Sequence, residues 1–132
     1  MKNYLHIQGA NSCIKACSEC VDICREFMTA LSTKTDIQQT QNRLLNQCKE
    51  TASHCHRCIE ACKEHRKECN KQECQASCEA TMKLCWNAIR ACQELSEKIV
   101  AEDPDLLKFC QNVLDACTLC LQACDHCVEQ NC

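Results

Sequence analysis

The residues that can do chemistry in this chain are its cysteines, 19 of 132, and their spacing is regular. Cys13, Cys17, Cys20 and Cys24 form a first set, and Cys48, Cys55, Cys58, Cys62 and Cys69 a second. Cys74, Cys78, Cys85 and Cys92 form a third, and Cys110, Cys117, Cys120, Cys124 and Cys127 a fourth, with Cys132 beyond them. Within each set the steps are three, four or seven residues, which place side chains on one face of a helix. Each set therefore projects a row of thiols in one direction, along the seam that leucine fills in an ordinary bundle. Rows of thiols facing a common core are suited to holding soft metal ions.

Disulfides fit this spacing poorly. Cβ atoms at i and i+4 stand ~5–6 Å apart, whereas a disulfide needs roughly 3.5–4.5 Å. A metal spans the gap without strain, because two metal–sulfur bonds of ~2.3 Å each reach across as much as about 4.6 Å between sulfurs. CxxxC recurs at Cys13/Cys17, Cys20/Cys24, Cys58/Cys62, Cys74/Cys78 and Cys120/Cys124, and CxxC at Cys17/Cys20, Cys55/Cys58, Cys117/Cys120 and Cys124/Cys127. One such pair is a weak signal; a core surrounded by them is a strong one.

Charge selects the metal. Zinc with four thiolates leaves two negative charges per site, and many such sites in one narrow core cost several kcal/mol per buried anion, order of magnitude. Cuprous copper carries one charge and accepts two or three soft sulfurs. With each thiolate bridging two ions, the ratio approaches one copper per cysteine and the cluster is nearly neutral. Multiple Cu(I) ions per chain are the expected cargo, with a copper chaperone as a candidate delivery partner. The alternatives are zinc or general soft-metal detoxification, and a thiol redox buffer.

The elements that must position these thiols are helices. A single glycine and a single proline interrupt the chain, which argues against a loop-rich disulfide scaffold and for long helices. Helices are expected at about 4–31, 37–68, 71–100 and 104–130. Asp36 with Gln39, and Asn70 with Glu73, read as capping boxes; Asp103 and Pro104 read as an N-cap and first-turn proline. Gly9 and the Asn11-Ser12 pair allow the first helix to begin only after Ser12. Beside the thiol rows run Ile14, Val21 and Met28, then Leu45, Ala52 and Ile59, then Met82 and Ile89, then Leu114, Leu121 and Val128. So broad a buried stripe fits an all-α, antiparallel, up-down-up-down four-helix bundle with a cysteine-lined core, residues 1–132 forming one domain.

Laid antiparallel, the helices have two unlike ends. One collects Phe27, Leu31, Ile37, Leu44, Leu95, Ile99, Leu106 and Phe109, an apolar plug. The other collects His6, His65, Cys69, Cys74, His126, Cys127 and Cys132, so metal is expected to pass in and out there. His6 extends the row of Cys13 and Cys20, His65 extends that of Thr51 and Cys58, and His126 adjoins Cys127; all three are candidate ligands beside the cysteines. His54 and His56 flank Cys55 and read as exposed or interfacial, and Met28 and Met82 as packing.

Other function classes find little support. Charge is mixed, 15 Lys and Arg against 18 Asp and Glu for a net −3, so a nucleic-acid footprint is missing. Charges recur too often for a membrane span, and the N-terminus carries no secretory pattern, which suggests a reducing, cytoplasmic address. An E-x-x-H pair and a glycine-rich phosphate loop are absent, and cysteine is too abundant for one privileged nucleophile, so no enzyme is expected.

Across essentially the whole chain, the CxxxC pairs and cysteine-lined helix faces resemble the copper storage proteins, four-helix bundles that hold many cuprous ions. The resemblance implies coordination wholly or almost wholly by thiols, histidines near one bundle end and, as is frequent in the family, a homotetramer; members with an export signal work outside the cytosol, so the missing secretory pattern suggests the cytosolic branch.

Overall fold

The structure is a computed structural model and describes residues 2–130, with side chains from Leu5 onward; Cys132 lies outside the described residues. Four helices account for nearly all of it: α1 Lys2–Thr33, α2 Ile37–Glu68, α3 Gln72–Val100 and α4 Leu106–Glu129. Each packs against two neighbours, in the cycle α1–α2–α3–α4–α1. The connections are too short for a crossover, so successive helices run antiparallel. The expected all-α four-helix bundle is the fold observed.

The first helix does not wait for Ser12. It runs unbroken through Gly9, Asn11 and Ser12, because Gly9 faces α2: a Cβ there would stand 3.4 Å from Ala61 Cβ and 3.7 Å from Cys58 Cα. The glycine that weakens the local helix is a point of close approach between helices.

The helix ends also differ from expectation. Asp36, Lys71 and Asp105 precede α2, α3 and α4 without making a side-chain cap, so neither capping box forms. Asp103 instead accepts a hydrogen bond from the Asp105 amide at 2.8 Å, holding a turn ahead of α4 and leaving Pro104 outside the helix. α1 and α3 close through left-handed residues that are not glycine, Lys34 at φ 59° and Glu102 at φ 55°. Thr35 N–H returns to Ala30 O at 3.2 Å and Asp103 N–H to Lys98 O at 3.0 Å, the six-to-one bond of a Schellman ending.

The core has two parts. At the end where α1 meets α2, Phe27, Leu44 and Leu95 are fully buried, with Ile99 beside them and Leu31, Ile37, Leu106 and Phe109 packed against them. The apolar plug is thus present. Below it the buried residues are mostly cysteine, while Ile14, Met28, Leu45, Met82, Leu114, Leu121 and Val128 lie half-buried around them. No helix among the described residues is long and apolar enough to cross a membrane.

Candidate metal centre

Every cysteine on the four seams turns inward. Among the described residues, 17 cysteines are free thiols, and all of these except half-buried Cys69 are buried. Cys74 is disulfide-bonded.

The thiols are gathered into groups whose ligand atoms all lie within 4.8 Å of one another. From the open end inward they are His65/Cys69/Cys74, His6/Cys78/Cys127, Cys13/Cys58/Cys85/Cys124, Cys13/Cys17/Cys55/Cys120 and Cys20/Cys48/Cys92. Cys62 joins the second level through His6, with 3.8 Å between Sγ and Nδ1. Beyond the last group, Cys24 donates to Cys110 O at 3.3 Å just below the plug. Cys13 belongs to both four-thiol groups. Its Sγ lies 3.5 Å from Cys55, 3.6 Å from Cys120 and 3.9 Å from Cys85. These separations are within the span of two metal–sulfur bonds, so ions can bridge the sulfurs with little rearrangement.

Close packing splits the acidities of neighbouring thiols, because one sulfur is stabilised as thiolate when another donates to it. Cys124 and then Cys62, outweighing an opposing contact from Cys13, bring Cys58 down to about 5. Cys127 and Cys62 bring Cys78 down to about 4. Cys127 goes the other way, to about 12, pushed first by Cys78 and then by burial. Cys120 is lowered, chiefly by Cys124, while Cys17 is raised, chiefly by Cys117. A column of this kind holds some thiolates ready and keeps other thiols protonated; an incoming cation displaces those protons and cancels the negative charge.

The two central histidines sit where their rows place them. His6 and His65 stack with ring centroids 4.5 Å apart and planes 2° from parallel, and they are 1% and 6% exposed. His6 Nε2 is 3.2 Å from Cys127 Sγ and 3.9 Å from Cys78 Sγ. His65 Nε2 is buried without a hydrogen-bond partner, and burial followed by the proximity of His6 lowers its basicity. His126 is exposed and shares none of the groups: one residue before an inward cysteine is about 100° round the helix. His54 is half-buried, and His56 is exposed with its ring edge-on to Trp86.

Polar side chains also stand inside the core. Thr51 and Gln47 of α2 both donate to Ala16 O of α1 at 3.2 Å, and Thr81 of α3 donates to Ala123 O of α4 at 3.5 Å. The sequence signal for them was a polar residue on a thiol row; only Thr51 was placed on such a row, and without a role.

The arrangement is a set of buried cysteine and histidine groups able to hold metal ions. Comparison with protein-family profiles, with curated proteins and with solved structures finds no match.

Proposed function

We propose that this chain stores cuprous ions in bulk, as thiolate-bridged clusters filling the bundle core. The observation that carries the reading is the shared membership of Cys13 in two four-thiol groups, with further groups above and below. A structural zinc site is closed by four ligands of its own. A column whose sites share ligands favours an ion that tolerates two or three bridging sulfurs. Charge points the same way, since bridged cuprous thiolate is close to neutral and can accumulate in a buried space where repeated four-thiolate zinc cannot.

The ions enter at the end that carries His6 and His65, because the opposite end is closed by Phe27, Leu44 and Leu95. The reading includes a reducing, cytoplasmic setting, which keeps the 17 free thiols competent. It also includes a homotetramer, implied by the resemblance to copper storage proteins and testable by sedimentation.

Titration of the reduced, metal-free chain with cuprous ion against a calibrated chelator tests the proposal. The expected endpoint is on the order of 15–20 ions per chain, about one per inward cysteine. Four or fewer tightly held ions would point to discrete structural sites, and zinc retained against cuprous ion would point to a zinc protein. Little metal uptake with reversible thiol–disulfide cycling would identify a redox buffer.

A further inference from the structure

A groove of about 600 Å³ runs along the outside of the bundle between the start of α1 and the end of α2. It is lined by His65, Gln8, His54 and Arg57, with the carboxylates of Glu60, Glu64 and Glu68. Gly9 and Ala61 line it too, and neither has more than a methyl group to fill it. Two ring nitrogens of residues lining it, His65 Nε2 and His54 Nδ1, are buried and have no hydrogen-bond partner. His65 is 6% exposed, so an unpartnered nitrogen there is unfavourable unless a ligand takes it up.

We propose that this lateral groove is the docking and hand-off site for a small zwitterionic thiol that carries Cu(I). The inference rests on the copper reading above and adds the carrier and its route. The volume suits a molecule of tripeptide size and is too small for a protein domain. Arg57 makes no ion pair among the described residues and offers a carboxylate partner, whereas Glu64 on the same helix offers one for an amine. Glu64 pairs with Lys67 at 3.3 Å, an exposed contact that a bound ammonium group can replace at little cost.

The hand-off is a ligand exchange with no change of oxidation state. The carrier's Cu–S bond gives way to a bond from the His65 Nε2 lone pair. The ion then passes inward past the stacked His6 ring to the Cys78/Cys127 level, where a Cu–S(Cys) bond forms as the Cu–N bond breaks. The proton leaving that core thiol goes to the carrier thiolate, which departs as free thiol. A bare cuprous ion never stands in the low-dielectric interior.

The test mixes the reduced full-length chain with the cuprous complex of glutathione, and follows protein-bound copper over time by rapid desalting and metal analysis. Arg57→Glu and Gln8→Trp should slow loading on the order of tenfold while equilibrium capacity stays unchanged. Gln72→Trp, at the same end of the bundle but outside the groove, should load at the unaltered rate. With the cuprous complex of cysteamine, which has no carboxylate, Arg57→Glu should lose its effect while Gln8→Trp keeps it. Circular dichroism confirms that each variant is folded. Normal capacity with rates insensitive to both groove substitutions overturns the groove alone, as does equal slowing by Gln72→Trp. No copper uptake by the unaltered chain overturns the groove and the storage reading together.

Discussion

The two ends of this bundle are built from the same helices with opposite chemistry. Toward the α1–α2 connection, Phe27, Leu44, Leu95 and Val113 are fully buried and packed as in any helical core. Toward the other end the same seam positions carry Cys13, Cys58, Cys85 and Cys124, also fully buried, and then the His6–His65 stack. Burial is equal, but what it supplies is not. A buried phenylalanine removes a large apolar surface from water, whereas cysteine acts as a small hydrophobe with reactive sulfur. The plug holds the bundle together so that the thiol half can remain largely free for metal.

The comparison breaks most visibly in stability. Phe27→Ala in the metal-free chain should cost about 3–5 kcal/mol, and Cys20→Ala only about 1 kcal/mol, near the value of one methylene. Urea denaturation of reduced protein followed by circular dichroism measures both. The same spectra should show a helical protein before any metal is added. A coil that becomes helical only with copper would mean that metal, not the plug, drives folding.

Alkali should attack one half and spare the other. In the unfolded chain thiols ionise near 9.0, while Cys127 is held up to about 12. Between those values the folded chain binds more protons than the unfolded, so stability falls as pH rises. Cys58 and Cys78, held down to about 5 and about 4, act in the opposite sense. Their contribution is complete above 9.0 and is lost as pH falls toward the lowered values. Denaturation of metal-free protein across pH should therefore show stability rising to a maximum near 9.0 and declining above it. The copper-filled protein should lack the decline, its thiols having already lost their protons. A flat profile in the metal-free state would contradict the assigned thiol acidities.

Within the thiol half, position should matter. Cys13→Ser removes a member of both four-thiol groups and should lower capacity by about two cuprous ions, whereas Cys24→Ser, outside those groups, should lower it by about one or fewer. Metal analysis after gel filtration distinguishes them; equal losses would mean that Cys13 is no hub. Replacing His6 and His65 together by alanine should slow loading or chelator-driven removal and leave capacity nearly unchanged. If those rates hold and substitutions at Phe27 and Phe109 raise them, the ions pass through the other end.

The smallest expected effect lies at the corners. Glu102 occupies the left-handed region at φ 55°, where glycine carries no steric penalty. Glu102→Gly should stabilise the metal-free chain by about 0.5–1 kcal/mol without altering copper uptake.

How legible all this was in the sequence depends on the scale of the interaction. Periodicity of three, four and seven put every described cysteine of the seams on an inward face, because a helix has one period and a bundle one core. The ends were harder. Asp36 and Asn70 matched capping boxes, yet the chain closes α1 and α3 through Lys34 and Glu102 in a conformation normally given to glycine, which residue type alone does not announce. Gly9 read locally as a helix breaker, and its meaning lay across the interface at Ala61. The disulfide at Cys74 and the groove beside His65 depend on surfaces brought together by folding, so they leave no spacing signature.

The hydroxyl contacts from Thr51 to Ala16 and from Thr81 to Ala123 fasten α1 to α2 and α3 to α4 at mid-height. Across α2 and α3 the side-chain contacts lie nearer the histidine end, where Arg66 pairs with Glu79 at 2.6 Å on the surface and Gln75 donates to Cys69 O at 2.9 Å. If the core swells as it gains ions, these pins give the swelling a grain: the two pinned pairs should part at the α2–α3 side like the covers of a book, hinged where Cys24 bonds Cys110 O between α1 and α4. Distances measured by spin labels across α2 and α3 should lengthen on filling more than those across α1 and α2. Equal lengthening in both directions would mean that the barrel of helices dilates evenly and that the threonines fasten nothing.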